Sequence, residues 1–311
     1  MKLNQKEPVY IIIPVHNRKN ITLKCLETLK QCGDLNRYYI VVVDDGSTDG
    51  TSEAITNLYP EVTTLTGDGN LWWTGAIKKG MEYAYQQGAE YFIWLNDDCI
   101  VSDKVLEDLV SLCKTNNYQI IGCQGQELNN SEIIAFGGKV RHYQGYKFLS
   151  ISKGEVKPCD MLSGNLVCLP REIVHQIGYP NPNILRHYGG DALYLIKARK
   201  AGFSIYVDHR NQVFNNNLTG ESNLSPQRWL LKPGKPLDIF YLMFISKSIL
   251  HWKVWFHLYI NDYYKKGFIL FLFVYTTKII IPVIIISILR YLPLSWRIYL
   301  SKTKNSILNI A

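Results

Sequence analysis

None of the seven cysteines stands in a C-x-x-C pair, and their number is odd. That excludes a disulfide frame and a cysteine-pair zinc site, and leaves reduced, buried thiols in a reducing compartment. No G-x-G-x-x-G follows the first apolar run, so the dinucleotide fingerprint of a Rossmann oxidoreductase is missing. A nucleotidyltransferase would want a basic, glycine-rich phosphate loop at that place, where Pro14-Val15-His16-Asn17 stands instead. Met1 to Pro8 holds no long apolar stretch, so a cleaved secretory signal is not expected. There is no internal repeat and no low-complexity segment. Acid is nearly absent from the last quarter: from Arg228 onward, Asp238 and Asp262 face 12 lysines and arginines. The net charge of +8 therefore belongs to the tail, and the body before it is slightly acidic.

Apolar residues make up 47% of the 311, enough for a sizeable core. Short apolar runs alternate with helical periodicity. Val9 to Val15, Tyr38 to Val43, Val62 to Thr66, Tyr91 to Leu95 and Gln119 to Cys123 read as strands. Asn20 to Gln31, Thr51 to Leu58, Ala76 to Gln87 and Lys104 to Cys113 read as helices, the last capped by Ser102 or Asp103. Such β-α-β repetition predicts an α/β fold with a mostly parallel sheet under flanking helices. Further on, Ile133 to Val140 and Tyr146 to Ser152 suit hairpin strands, and Met161 to Leu169 a kinked strand. Ile184 to Gly190 reads as loop, Asp191 to Ala201 as a helix closed by Gly202, and Ile205 to Val207 as a last strand.

Ligands of open parallel sheets bind beyond the strand C-termini. Three polar clusters fall there: His16-Asn17-Arg18, Asp44-Asp45 and Asn96-Asp97-Asp98. Adjacent carboxylates repel unless a cation sits with them. Mg²⁺ or Mn²⁺ held by one or two carboxylates and substrate phosphates meets that need, and turn formation is the plain alternative. Asp44 and Asp45 can accept from a nucleobase or ribose, or form an Asx turn; Asp49 and Thr51 suit a turn and helix cap. Trp72 and Trp73 can offer a face to a sugar or plug the core, with Trp72 the more ligand-facing of the two. Lys78 and Lys79 suit a solvated helix face more than an approach to a diphosphate, and His187 with Tyr188 suits either an acceptor mouth or packing. Gly164, between Ser163 and Asn165, allows close approach of backbone to a donor.

Tyr10-Ile-Ile-Ile-Pro14-Val-His-Asn17-Arg18, Val41-Val-Val-Asp-Asp-Gly-Ser-Thr-Asp-Gly50 and Leu95-Asn-Asp-Asp98 together resemble the family 2 glycosyltransferases of the GT-A fold. Gly69-Asn70-Leu71-Trp72-Trp73-Thr74-Gly75-Ala76 is similar to its rhamnosyltransferase-like branch. Gly189-Gly190-Asp191, with Arg199-Lys200-Ala201-Gly202-Phe203, resembles the family's distal acidic motif. The resemblance implies an inverting, bacterial-type enzyme that moves a sugar from a UDP- or dTDP-sugar donor to an acceptor hydroxyl. It implies nucleotide binding by Pro14, Val15, Asn17, Asp44, Asp45, Gly69 and Asn70, with Asp45 on the base. It implies metal binding by Asp98, with Asp97 in support, and Asp191 as the catalytic base. Trp72, Trp73, Gly164, Asn165 and His187 fall at donor or acceptor positions. Three positions depart from the pattern: Asn96 replaces the first acid, Gly190 the acid before the base, and Asn215 a histidine, with His209 out of register. A non-catalytic membrane-associated scaffold of the same fold, or a nucleotidyltransferase, stays open.

The predicted catalytic domain covers residues 1–224, followed by a basic, aromatic-rich helical tail over 225–311. Phe268 to Leu289 is long enough to cross a bilayer core, with basic and aromatic flanks at both ends. A tilted, re-entrant or interfacial seat fits those flanks at least as well as a crossing does, and a soluble helical extension packed on the domain is the plain alternative. The expected partners are the membrane, on its cytoplasmic side, and a saccharide or lipid-linked saccharide acceptor. Nucleic acid is not expected, since the basic residues are diluted by apolar runs.

Overall fold

The computed structural model describes residues 6–115, 119–142, 145–216 and 229–302. The chain divides into two compact units, residues 1–142 with 146–217, and 143–145 with 218–311. The expected boundary after residue 224 lies outside the described residues.

In the first unit, Val9–Val15 is central to an eight-stranded sheet, pairing in parallel with Tyr39–Asp44 and Tyr91–Leu95. Thr63–Thr66 extends the parallel half beyond Tyr39–Asp44. On the other side, Leu166–Pro170 enters antiparallel between Tyr91–Leu95 and Ile120–Cys123. Ile205–Asp208 then returns parallel, and Val156–Pro158 closes the edge antiparallel. Side chains alternate faces along a strand. Thus Ile11 and Ile13 enter one core with Cys25, Leu26 and Leu29 of the helix Lys19–Gln31. Tyr10 and Ile12 enter the other, with Ile77, Met81 and Ala84 of the helix Trp72–Gln86. Both faces are covered, as continuous apolar strands require.

Several sequence readings shift. The helix expected from Ala76 begins at Trp72, a residue with φ of 57°. Met161 to Leu169 is no single kinked strand: Met161–Leu162 pairs with Gly138–His142, while Leu166–Pro170 joins the main sheet. The turn Ser163–Asn165 sits between these two sheets. Ile133 to Val140 splits between the strands Asn130–Phe136 and Gly138–His142. The strands Cys99–Val101 and Val213–Asn215 were not legible, and they belong to a separate four-stranded sheet. All seven cysteines are free, and five are buried.

Among the described residues of the second unit, the main helices are Trp252–Asp262, the run Gly267–Leu289 and Leu294–Lys302. The middle run is α-helical apart from a π turn at Thr276–Ile280. Its core gathers Ile239, Leu250, Tyr259, Phe271, Val274 and Ile286.

Candidate active site

The parallel strands deliver their C-terminal residues to one rim, where Val15 stands in register with Asp44. Hydrogen bonds join the two loops that leave there. The Asp45 N–H donates to the Val15 carbonyl at 2.9 Å. His16 Nδ1 lies 2.6 Å from the Asp45 carbonyl, which can only accept, so Nδ1 carries the proton and Nε2 accepts from Asn17 Nδ2 at 3.0 Å. Asn17, at φ 53°, donates its N–H to Ser47 Oγ and accepts the Thr48 N–H at 2.7 Å. Pro14 is half-buried behind this loop.

Asp44 and Asp45 have structural partners. Asp44 accepts from the Ser47 N–H at 2.9 Å and from the Ser52 hydroxyl, an Asx-type turn with a second clamp. Asp45 Oδ1 accepts the N–H groups of Gly69 at 2.9 Å and Leu71 at 3.1 Å, and Oδ2 accepts that of Trp72 at 2.8 Å. The buried Asp45 carboxylate is thus turned toward the loop that carries Gly69 and Asn70. In this state its partners are backbone amides, where the resemblance implied a nucleobase. Asn70 itself donates its N–H to Asp68 and leaves its side chain exposed.

At the mouth of Tyr91–Leu95 the cation beside the paired carboxylates is Arg18. Its guanidinium lies 3.1 Å from Asp97 Oδ1 and 3.2 Å from Asp98 Oδ2. Asp97, with 1% of its side chain exposed, also accepts the Thr22 hydroxyl at 2.9 Å. Burial pushes Asp97 up to about 6, against the pull of Arg18. Direct metal ligation by Asp97 does not fit this setting; support of Asp98 does. Asp98 Oδ1 faces Asn215 Nδ2 at 3.4 Å, so the residue in the usual histidine place lies at the site. His209 is buried against the Ile151 carbonyl instead. Asn96 Oδ1 accepts the Trp73 indole N–H at 2.9 Å. Among the described residues no three histidines, cysteines or acids gather to hold a metal. One carboxylate beside two amides does not make a resident metal cage. It fits a Mg²⁺ or Mn²⁺ that arrives with phosphates and takes Asp98 as its protein ligand.

The turn Ser163–Asn165 links this corner to the distal acid. The Asn165 carbonyl accepts the Asn96 N–H at 2.8 Å, and the next residue back, Gly164, donates its N–H to Asp191 Oδ2 at 2.7 Å. A Cβ on Gly164 would stand 2.7 Å from both Asp191 Cβ and the Trp73 ring, so only glycine fits without displacement. Asp191 occupies the first turn of the helix Gly190–Lys200. Gly190 has a steric reason: a Cβ there would stand 2.0 Å from Thr74 Oγ1. The acid that often precedes the base has no room. The two tryptophans, both in the first turn of a helix, take different neighbours. Trp73 packs edge-on to Trp94 at 5.4 Å, while Trp72 meets His187 edge-on at 5.8 Å.

A scan of protein families matches residues 10–149 to glycosyl transferase family 2. Over this segment the chain is similar to the family 2 glycosyltransferases. Glycosyltransferase AglE of Haloferax volcanii is 27% identical over 207 residues, which cover 65% of this chain and 64% of AglE. The crystal structure of GalNAc-T7 with UDP, GalNAc and Mn²⁺ superposes with a TM-score of 0.55 at 16% identity, over 67% of this chain and 43% of that one. S. aureus TarS 1–349 with UDP-GlcNAc gives 0.52 at 13% identity, over 84% and 74%. These likenesses establish the GT-A fold.

The structure also brings to this region residues to which the resemblance gave no role. Arg18 was visible only as part of a motif, although a cation was expected beside the two acids. Lys139 and Tyr188 lie within electrostatic reach of Asp191. Burial lowers Lys139, against the attraction of Asp191; burial and then Asp191 raise Tyr188. Lys139 is far from Asp191 in sequence and had no motif to betray it. Lys78 and Lys79 hold surface partners, Glu82 at 3.6 Å and the Thr66 carbonyl at 2.6 Å.

Proposed function

We propose that the domain is an inverting glycosyltransferase acting on a UDP- or dTDP-sugar, with Asp191 as base. The acceptor hydroxyl oxygen attacks the anomeric carbon, the bond from that carbon to the diphosphate oxygen breaks, and the nucleoside diphosphate leaves. The hydroxyl proton passes to Asp191. A divalent cation, when bound, neutralises charge on the departing diphosphate. The carrying observation is the Gly164 N–H to Asp191 bond of 2.7 Å, on the same turn that accepts the Asn96 N–H. It ties the base to the acidic strand end. UDP in GalNAc-T7 and UDP-GlcNAc in TarS support a uridine donor.

Trp72 and His187 would wall the sugar site, and the backbone around Asn17 and Gly69 would take the nucleoside. The basic, apolar second unit supports an acceptor carried on lipid at the cytoplasmic face of the membrane, in surface polysaccharide synthesis. The test is nucleotide release from a panel of UDP- and dTDP-sugars, with Mg²⁺ or Mn²⁺ and with saccharide and lipid-linked acceptors. Asp191→Asn is expected to abolish release while donor affinity by calorimetry stays within about threefold. Retained turnover would remove Asp191 from its role, and no release with any donor would leave a non-catalytic scaffold.

A further inference from the structure

The helical run Gly267–Leu289 has 23 residues, a mean hydropathy of 2.5 and two apolar faces of different fate. One is buried in the unit's own core through Phe271, Val274, Tyr275, Ile279, Val283 and Ile286. The other faces outward: Ile269 is 70% exposed, Phe273 58% and Ile288 63%, with Leu272, Ile281 and Ile285 along the same line. From Phe268 to Ile288 this strip is about 30 Å long at the α-helical rise. Its one exposed polar residue is Thr276, and no exposed residue within it is charged. An α-helix repeats a face every three or four residues, yet the step from Thr276 to Ile281 is five. The π turn Thr276–Ile280 adds the extra residue there. It brings Ile281, Ile285 and Ile288 outward in line with Ile269 and Phe273, and turns Ser287 inward.

We propose that this strip seats on an anionic lipid surface with the helix lying in the membrane plane, not crossing it. The proposal rests on the membrane association above and adds its geometry. The neighbouring helix Trp252–Asp262 packs along the inner face, with Phe256 5.5 Å from Phe271 and Trp255 6.0 Å from Tyr275. That neighbour carries Lys253 and His257 beside these contacts. A crossing would draw them to the depth of the hydrocarbon, where charged groups are costly. An in-plane seat leaves them on the water side and wets only the outer strip with acyl chains. Exposed Lys265 and Lys266 precede the strip, and the exposed aromatics Tyr291, Trp296 and Tyr299 follow it. Basic residues select anionic headgroups, and amphipathic aromatics favour the interface.

The test uses the full chain, with a short C-terminal epitope, and sealed phosphatidylcholine vesicles with or without about a quarter phosphatidylglycerol. Wild type should co-float with the anionic vesicles, and external protease should remove the epitope from the bound protein. Ile269→Asp with Ile285→Asp should lower partitioning by about 100-fold, with melting temperature and nucleotide affinity unchanged. If the pair lowers the melting temperature, Ile288→Ser alone should still cost about tenfold in partitioning. An epitope sheltered inside the vesicles overturns the in-plane seat and leaves membrane association standing. Failure of wild type to bind any vesicle overturns both. A dimer in solution that dissociates on the double substitution, with vesicle binding unaffected, reassigns the strip to a second copy of the chain and overturns the proposal.

Discussion

Asp45→Asn separates two roles for one carboxylate. In the structure the carboxylate accepts three backbone N–H groups, from Gly69, Leu71 and Trp72. An amide has one accepting atom. With its oxygen kept toward Gly69 and Leu71, its NH₂ faces the Trp72 N–H, donor against donor. A hydrogen bond to a charged group contributes about 1.5–3 kcal/mol, and a buried donor left without a partner costs a similar amount. Trp72 is also held at φ 57°, a conformation costing about 1–3 kcal/mol that can relax once the clamp is gone. The net loss should be about 2–4 kcal/mol. Urea unfolding followed by circular dichroism measures it, and amide exchange at residues 69–72 should quicken in the variant. If stability stays within about 0.5 kcal/mol while UDP or dTDP affinity falls tenfold or more, the clamp assignment is wrong and Asp45 acts on the nucleobase.

Gly164→Ala should cost about 1–3 kcal/mol by overpacking against Asp191 and the Trp73 ring. If Asp191 is the base proposed above, the substitution should lower turnover by about 100-fold through displacement of that carboxylate, with nucleotide affinity little changed; normal turnover would show that the turn does not position Asp191. Arg18→Ala removes the cation beside Asp97, whose side chain is 1% exposed, and should destabilise by about 2–3 kcal/mol in urea. An unmoved midpoint would show the pair to be energetically idle. Burial raises Asp34 from 3.8 to about 7, so the folded state holds that proton more tightly than the unfolded chain. Ionisation therefore weakens folding as pH rises from about 4 to about 7. Asp34→Asn should raise the melting temperature at pH 8 and leave it unchanged at pH 4; an equal gain at both would refute the burial argument.

Most of the parallel half of the sheet was legible because Val9–Val15, Tyr39–Asp44 and Tyr91–Leu95 are apolar runs that lead into polar clusters. Val9–Val15 and Tyr91–Leu95 appear with the bounds read from the sequence. The antiparallel insertion of Leu166–Pro170 was not legible, since a buried strand looks the same in either direction. The short strands Cys99–Val101 and Val213–Asn215 are too brief for a periodic signal, and their pairing depends on partners more than a hundred residues apart. His209 lies against the Ile151 carbonyl and Asn215 beside Asp98, a difference that only the folded chain displays.

Composition and strand-end motifs by themselves determined the α/β class, the family resemblance and the basic, apolar tail, because these are properties of local runs. Tertiary structure alone decided which partners the acids take. Asp45 meets the amides of Gly69, Leu71 and Trp72, Arg18 sits between Asp97 and Asp98, and Gly164 holds Asp191. It also decided which face of Gly267–Leu289 is left uncovered. A hydrogen bond or a close approach joins residues by distance in space, and sequence spacing carries no measure of that distance once the chain has crossed a sheet.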